Sequence, residues 1–355
     1  MRKNLLAKLL VLLVACMIMP ISVSAQKPIR AGTTAASFLE AGFGAAGTAM
    51  GDAYVSVAND ASALYWNPAG LALMNRSEAM FVTQPWIVGM NMSFAAVGIV
   101  VPDIGTIGAG LIMMNYGEME VTTPEQQDGT GERFSPRDFA LSLSFGRNLV
   151  DWFSFGASAK LVTSNIRHMN ATALAFDFGA IIKTDFLSPT GDYAHGMNIG
   201  ISISNYGTSL KYDGLDLLNP IDADPDGNGN YRDAPGQYRV QKWELPLIFR
   251  IGASITPISN ENHQLTFAAN GLHPNNNTES VNLGAEYSLN MPTFGKVFFR
   301  GGYKALFMED SEYGMSFGLG VQTYLLFNRG LKFDYASRDV GVFGNVNSFG
   351  VSLLF

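Results

Sequence analysis

Apolar and polar side chains alternate with a period of two along most of this chain. Near the end, Phe349, Val351, Leu353 and Phe355 alternate with Ser348, Gly350 and Ser352. Met315, Phe317, Leu319 and Val321 alternate with Ser316, Gly318, Gly320 and Gln322, and similar runs surround Leu141, Ile199 and Leu283. Successive side chains of a β-strand point to opposite faces, so each run has one apolar and one small or polar face. The pattern predicts fourteen strands: 78–86, 90–101, 106–118, 137–147, 152–165, 169–184, 196–206, 241–255, 263–271, 278–290, 295–307, 312–324, 330–338 and 346–355. Many are longer than the roughly five or six residues usual in soluble domains. A tilted strand needs roughly 9 to 11 residues to cross the hydrocarbon of a bilayer. The polar face is rich in Gly, Ser and Asn rather than Lys and Glu, which suits a crowded interior better than open water.

The expected fold is therefore all-β: a transmembrane antiparallel β-barrel of about fourteen strands, preceded by a short hatch or plug. An even count with the first strand running outward puts the two longest connections, 119–136 and 207–240, on the outer side. Short turns at Pro102-Asp103, Asn148-Leu149 and Asn328-Arg329 then fall on the periplasmic side, the asymmetry such barrels have. Trp86, Trp152, Trp243, Tyr206, Tyr313 and Tyr324 lie near segment ends, where aromatic girdles belong.

Composition supports the membrane. Charged residues are 15% of the chain, with 38 Gly, 24 Phe and 13 Tyr, against roughly 25% charged in globular proteins. Residues 1–25 read as a signal peptide, with Arg2, Lys3 and Lys8 ahead of an apolar run and Val23-Ser24-Ala25 as the cleavage site. Leu13-Val14-Ala15-Cys16 resembles a lipoprotein box, but the apolar stretch continues past it to Ile21. The remaining divisions are 26–76 for the hatch and 77–355 for the barrel. Without the signal's three basic residues the chain has 20 Lys and Arg against 30 Asp and Glu. That balance argues against nucleic acid, whose phosphates need clustered cations. The only cysteine, Cys16, goes with the signal.

Residues 32–76 do not alternate. Their Ala and Gly content predicts a segment folded into the lumen or across its periplasmic mouth, with a short helix at 60–64 capped by Asn59 or Asp60. Gly42-Phe43-Gly44-Ala45-Ala46-Gly47 matches G-x-G-x-x-G but lacks the βαβ frame of a dinucleotide site, so these glycines are expected to allow close packing. Asp222, Asp224, Asp226, Asn228, Asn230 and Asp233, with Gly227 at the sixth position, reproduce the oxygen spacing of a calcium loop. Asp233 stands where glutamate is usual, and no flanking helices are evident. A structural Ca²⁺ is the one cofactor the sequence suggests. No nucleophile or metal motif of an enzyme is present, and the four histidines are scattered.

The stretch from Phe38 to Leu71 resembles the amino-terminal signature of the PorV/PorQ family, relatives of the FadL fatty-acid transporters. It carries Gly47-x-Ala-Met50-Gly51-Asp52-Ala, then Asn59-Asp60-Ala-Ser-Ala-Leu, then Trp66-Asn67-Pro68-Ala69-Gly70. The resemblance implies a fourteen-stranded outer-membrane barrel with an amino-terminal hatch. It implies partners as well: a large secretion translocon barrel and the carboxy-terminal signals of type IX cargo, or the attachment step of that system. FadL-type relatives instead pass hydrophobic molecules through a lateral opening. One departure is Gly70, where dedicated secretion members are expected to carry lysine.

Overall fold

A strand with one apolar face and one small polar face is satisfied where oil lies on one side and a packed interior on the other. The computed structural model, which describes residues 31–222, 226, 234–292, 294–324 and 329–355, meets that demand with fourteen long strands. They are β1 Glu78–Pro85, β2 Asn91–Val101, β3 Gly105–Asn115, β4 Arg137–Val150, β5 Phe153–Ile166, β6 Met169–Lys183 and β7 Asn198–Gly207. They continue as β8 Ile248–Ser259, β9 His263–Pro274, β10 Ser280–Met291, β11 Gly295–Leu306, β12 Met315–Tyr324, β13 Gly330–Asp339 and β14 Asn345–Leu354. Each pairs antiparallel with the next, and β14 returns to β1 from Glu78↔Leu354 to Thr83↔Phe349. The sheet is a closed barrel and leaves no free edge.

Alternation becomes inside and outside. On β4, Leu141, Leu143 and Phe145 are exposed, while Ala140, Ser142 and Ser144 are buried. On β14, Phe349, Val351 and Leu353 face out and Ser348 and Ser352 face in. A soluble monomer rarely exposes an apolar patch beyond a few hundred Å²; here large apolar side chains are exposed on strand after strand of the outer wall, which a bilayer satisfies.

Residues 37–74 occupy the lumen. They form a 3₁₀ turn at Ser37–Glu40, helix α1 at Ala45–Ala49, helix α2 at Ala63–Trp66 and a second 3₁₀ turn at Pro68–Leu73. Phe43, Met50, Leu64, Trp66 and Leu71 are buried here with Phe94 of the wall. The path of this segment is defined at both ends. At one rim Phe355 N donates to Ser77 O at 2.9 Å, so the end of the segment and the carboxy terminus meet. At the other rim Ala35 N donates to Glu244 O at 2.9 Å, and Asn276 Nδ2 to Thr34 Oγ1 at 2.8 Å. The long connections 116–136 and 208–247 leave from that second rim. The segment thus enters among the long loops and runs the length of the barrel.

Several expectations need correction. The strand expected at 241–255 starts at Ile248, because Pro246 has no N–H for a ladder; Trp243 pairs with Leu210 instead. The helix expected at 60–64 lies at Ala63–Trp66, and its N-cap Ser62 makes no side-chain cap. Asn148-Leu149 lies inside β4, with the turn at 151–152. Of the six girdle aromatics, Trp152, Tyr206, Trp243 and Tyr324 are exposed, but Trp86 packs against the core and Tyr313 against Lys304. The expected signal peptide lies outside the described residues.

Candidate functional site

The residues of the amino-terminal motif meet inside the barrel and are seated there by charge and by glycine. Gly42 and Gly44 take φ of +82° and +94°, a conformation open to glycine, and turn the chain into α1. A Cβ on Gly47 would lie 2.7 Å from the Trp66 ring, so the first third of the motif packs flat on the last. Tyr65 stands edge-on to both Trp66, at 4.8 Å between ring centroids, and Phe43, at 5.1 Å. Such pairs add about 0.5–1.5 kcal/mol beyond area burial.

Met50-Gly51-Asp52 ends the turn after α1. A Cβ on Gly284 or Gly302 of the wall would collide with Met50, and one on Gly51 with the Tyr303 backbone. Asp52 receives a hydrogen bond from Arg338 and pairs with Lys304 at 2.8 Å. Arg338 also donates to the carbonyls of Ala41 and Thr48, each at 3.4 Å. Asp60 accepts from Lys332 at 3.1 Å and from Ser62 Oγ at 2.5 Å, so it serves as an ion-pair partner rather than a helix cap. Lys332 continues to Asp334 at 3.3 Å, and Arg300 joins Asp334 at 2.6 Å to Glu286 at 2.5 Å. Glu78 of β1 accepts from Ala61 N at 3.0 Å. Asn59 is exposed.

The Trp66-Asn67-Pro68-Ala69-Gly70 end is held by its asparagine. Asn67 Nδ2 donates to Val55 O at 2.9 Å and to Ala180 O of β6 at 3.2 Å, and its Oδ1 accepts from Ala69 N at 3.1 Å. Gly156 and Gly179 of β5 and β6 leave the space that Asn67, Pro68 and Ala69 fill. A Cβ at Gly70 would sit 2.3 Å from Ala58 O, so the expected lysine does not fit this backbone without a shift.

Replacing a buried ion pair with apolar groups is often neutral, whereas removing one partner costs about 3–5 kcal/mol. This network therefore fixes position more than it adds stability. Its wall residues, Arg300, Lys304, Lys332, Asp334 and Arg338, are absent from the sequence-based site. A signal for them existed: charges on the polar face of strands that otherwise carry Gly and Ser there.

At the long-loop end the hatch floors a cavity of about 140 Å³, bounded by Glu40, Tyr65, Arg250, Leu272, Asn282 and Lys304 among others. The calcium loop lies mostly outside the described residues. Asp222 and Asp226 are exposed, Asp224, Asn228, Asn230 and Asp233 are among the residues not described, and strands Leu218–Ile221 and Ala234–Gln237 pair on either side. Among the described residues no group of three or more His, Cys, Asp or Glu could hold a metal ion.

The model of the family described as type IX secretion system protein PorV matches residues 24–224, more than half of the chain and all of this hatch. The chain belongs to the PorV family. Solved structures share its fold at low identity. The Ralstonia pickettii toluene transporter TbuX is 12% identical, with a TM-score of 0.53, over 88% of this chain and 97% of its own. The CymD monoaromatic hydrocarbon channel is 11% identical, with a TM-score of 0.54, over 88% and 96%. A Pseudomonas aeruginosa FadL homologue is 13% identical, with a TM-score of 0.49, over 88% and 97%. No curated protein sequence matches. The family is that of a secretion-system protein, and the fold is shared with hydrocarbon-transport barrels.

Proposed function

We propose that this PorV-family barrel acts in type IX-like secretion or surface attachment, binding a translocon barrel or exported cargo and catalysing no reaction. The family match carries the reading. A lumen filled by a pinned hatch supports it, since such a barrel offers partners its rim and loops more readily than it offers solutes a channel. Its apolar outer wall makes outer-membrane lipid the surrounding partner, reached after signal-directed export. Deleting the gene in the native bacterium tests the proposal. Cargo bearing type IX carboxy-terminal signals then accumulates in the periplasm and returns to the surface on complementation. Unchanged cargo export contradicts the proposal.

A second reading is passive passage of hydrophobic small molecules. The fold shared with TbuX and CymD supports it, as does the partly apolar cavity at the outer end. Under that reading the deletion slows hydrocarbon uptake and leaves cargo export intact. A structural Ca²⁺ in the loop from Asp222 to Asp233 is a separate proposal. Calorimetry on the full chain is expected to show one calcium site, and an absence of heat contradicts it.

A further inference from the structure

We propose that the cavity at the long-loop end of the lumen binds a small carboxylate carrying a compact apolar body. The inference does not depend on the secretion reading. It begins with charge. The buried basic side chains among the described residues are Lys160, Arg250, Arg300, Lys304, Lys332 and Arg338. Five have a carboxylate partner: Asp177, Asp334 with Glu286, Asp52, Asp60 and again Asp52. Arg250 has no carboxylate at ion-pair distance, although it is only 3% exposed, and Glu40 acts on it only from further off. Its guanidinium donates to a neutral oxygen, Ser204 Oγ, at 2.8 Å and lies 5.8 Å from the centroid of the Tyr65 ring. A buried charge left without its counter-ion is costly, and arginine's planar fork is matched by a carboxylate.

A second donor faces the same space without an acceptor. Asn282 uses its Oδ1 to accept from Ala305 N at 2.8 Å, and its buried Nδ2 has no partner. The two acids lining the cavity do not satisfy these donors. Asp52 is taken up by Lys304 and Arg338. Glu40 accepts from Asn276 at 3.2 Å and interacts with Arg250 and Lys304 across the cavity through charge, but forms no ion pair with Arg250. These two donors therefore suit an acceptor that carries negative charge.

Ile248, Leu272, Pro274 and Met308 give the cavity an apolar part, beside the polar Ser280, Asn277 and Thr278. At about 140 Å³ the cavity is close to the roughly 150 Å³ of an engineered cavity that accepts benzene. A small ring or branched chain fits that space and a long acyl chain does not. Asn277, Thr278, Met308 and Tyr313, from the connections at the outer rim, border it, so a ligand arrives from outside.

The test is calorimetry on the full mature barrel in maltoside micelles, with benzoate as probe and benzyl alcohol and inorganic phosphate as controls. Benzoate is expected to saturate one site and to bind at least about tenfold more tightly than either control, a difference of about 1.4 kcal/mol. Arg250→Gln is expected to lose about tenfold or more. Leu272→Trp, which fills the cavity without touching the charges, is expected to abolish binding. Benzyl alcohol binding as tightly as benzoate overturns the role of Arg250, and phosphate doing so overturns the role of the apolar wall. Absence of saturable benzoate binding, or affinity unchanged in both variants, overturns the site itself. The selectivity of the unmodified protein decides the matter even where a variant fails to fold.

Discussion

Asp52 ties the hatch to two strands of the wall. It belongs to the hatch, yet its partners Lys304 and Arg338 come from β11 and β13, far along the sequence. Removing the carboxylate leaves two cations facing each other in a closed space. Asp52→Ala is thus expected to destabilise the folded barrel by about 3–5 kcal/mol, seen as a lower midpoint for unfolding in detergent. Adding Arg338→Met to Asp52→Ala should recover part of the loss, because one of the stranded charges is gone. A midpoint unchanged by Asp52→Ala would show that the pairing does not hold the hatch. Residues of this kind were only half legible. The motif marks Asp52 and Asp60 as special, but which cation meets which acid depends on strand register, and nothing in the sequence marks Arg250 as the buried base without an ion pair among the described residues.

Elements were read more easily than contacts. A period of two survives where one face meets lipid and the other the lumen, as in β4, β5, β6 and β14, and it fades in β11, where Val297, Phe298 and Phe299 are adjacent. The signal fails in the long loops, where neither face is constrained. The short pairings Met119–Glu120 with Arg133–Phe134, and Leu218–Ile221 with Ala234–Gln237, were therefore missed. Trp243, Leu245 and Leu247 show the converse: they alternate without extending a strand, because the chain there turns back to hold the hatch entrance. One loop contact has a pH dependence. Asp216 accepts from His168 N at 3.3 Å, lies 2.9 Å from His168 Nδ1, and faces Arg167 at 3.5 Å. The His168 hydrogen bond is the main reason its carboxyl sits below the usual aspartate range. A lowered carboxylate contributes stability above its unfolded value, near 3.9, that fades as pH falls through the lower folded value. Amide protection in residues 213–217, taken relative to exchange of the unstructured chain at each pH, should fall on acidification below about pH 4, and Asp216→Asn should remove that fall. Protection in the parent that stays constant across this range would contradict the linkage.

For the molecule as a whole, the barrel is a container for its own amino-terminal segment. The family motif is the filling, and the lumen glycines and charges are its seat. That arrangement also fixes a topology, since the segment begins among the long loops and ends beside the carboxy terminus. Cys16 is the only cysteine of the sequence, so in a Cys16→Ser background single cysteines can report each end. Ala31→Cys lies at the long-loop rim and Asn75→Cys at the opposite rim, and both positions are exposed. A bulky, membrane-impermeant polyethylene-glycol maleimide applied to intact cells should label Ala31→Cys and should reach Asn75→Cys only after the outer membrane is opened. Labelling of Asn75→Cys but not Ala31→Cys on intact cells, or equal labelling of both, would contradict a hatch threaded through the barrel from its outer face.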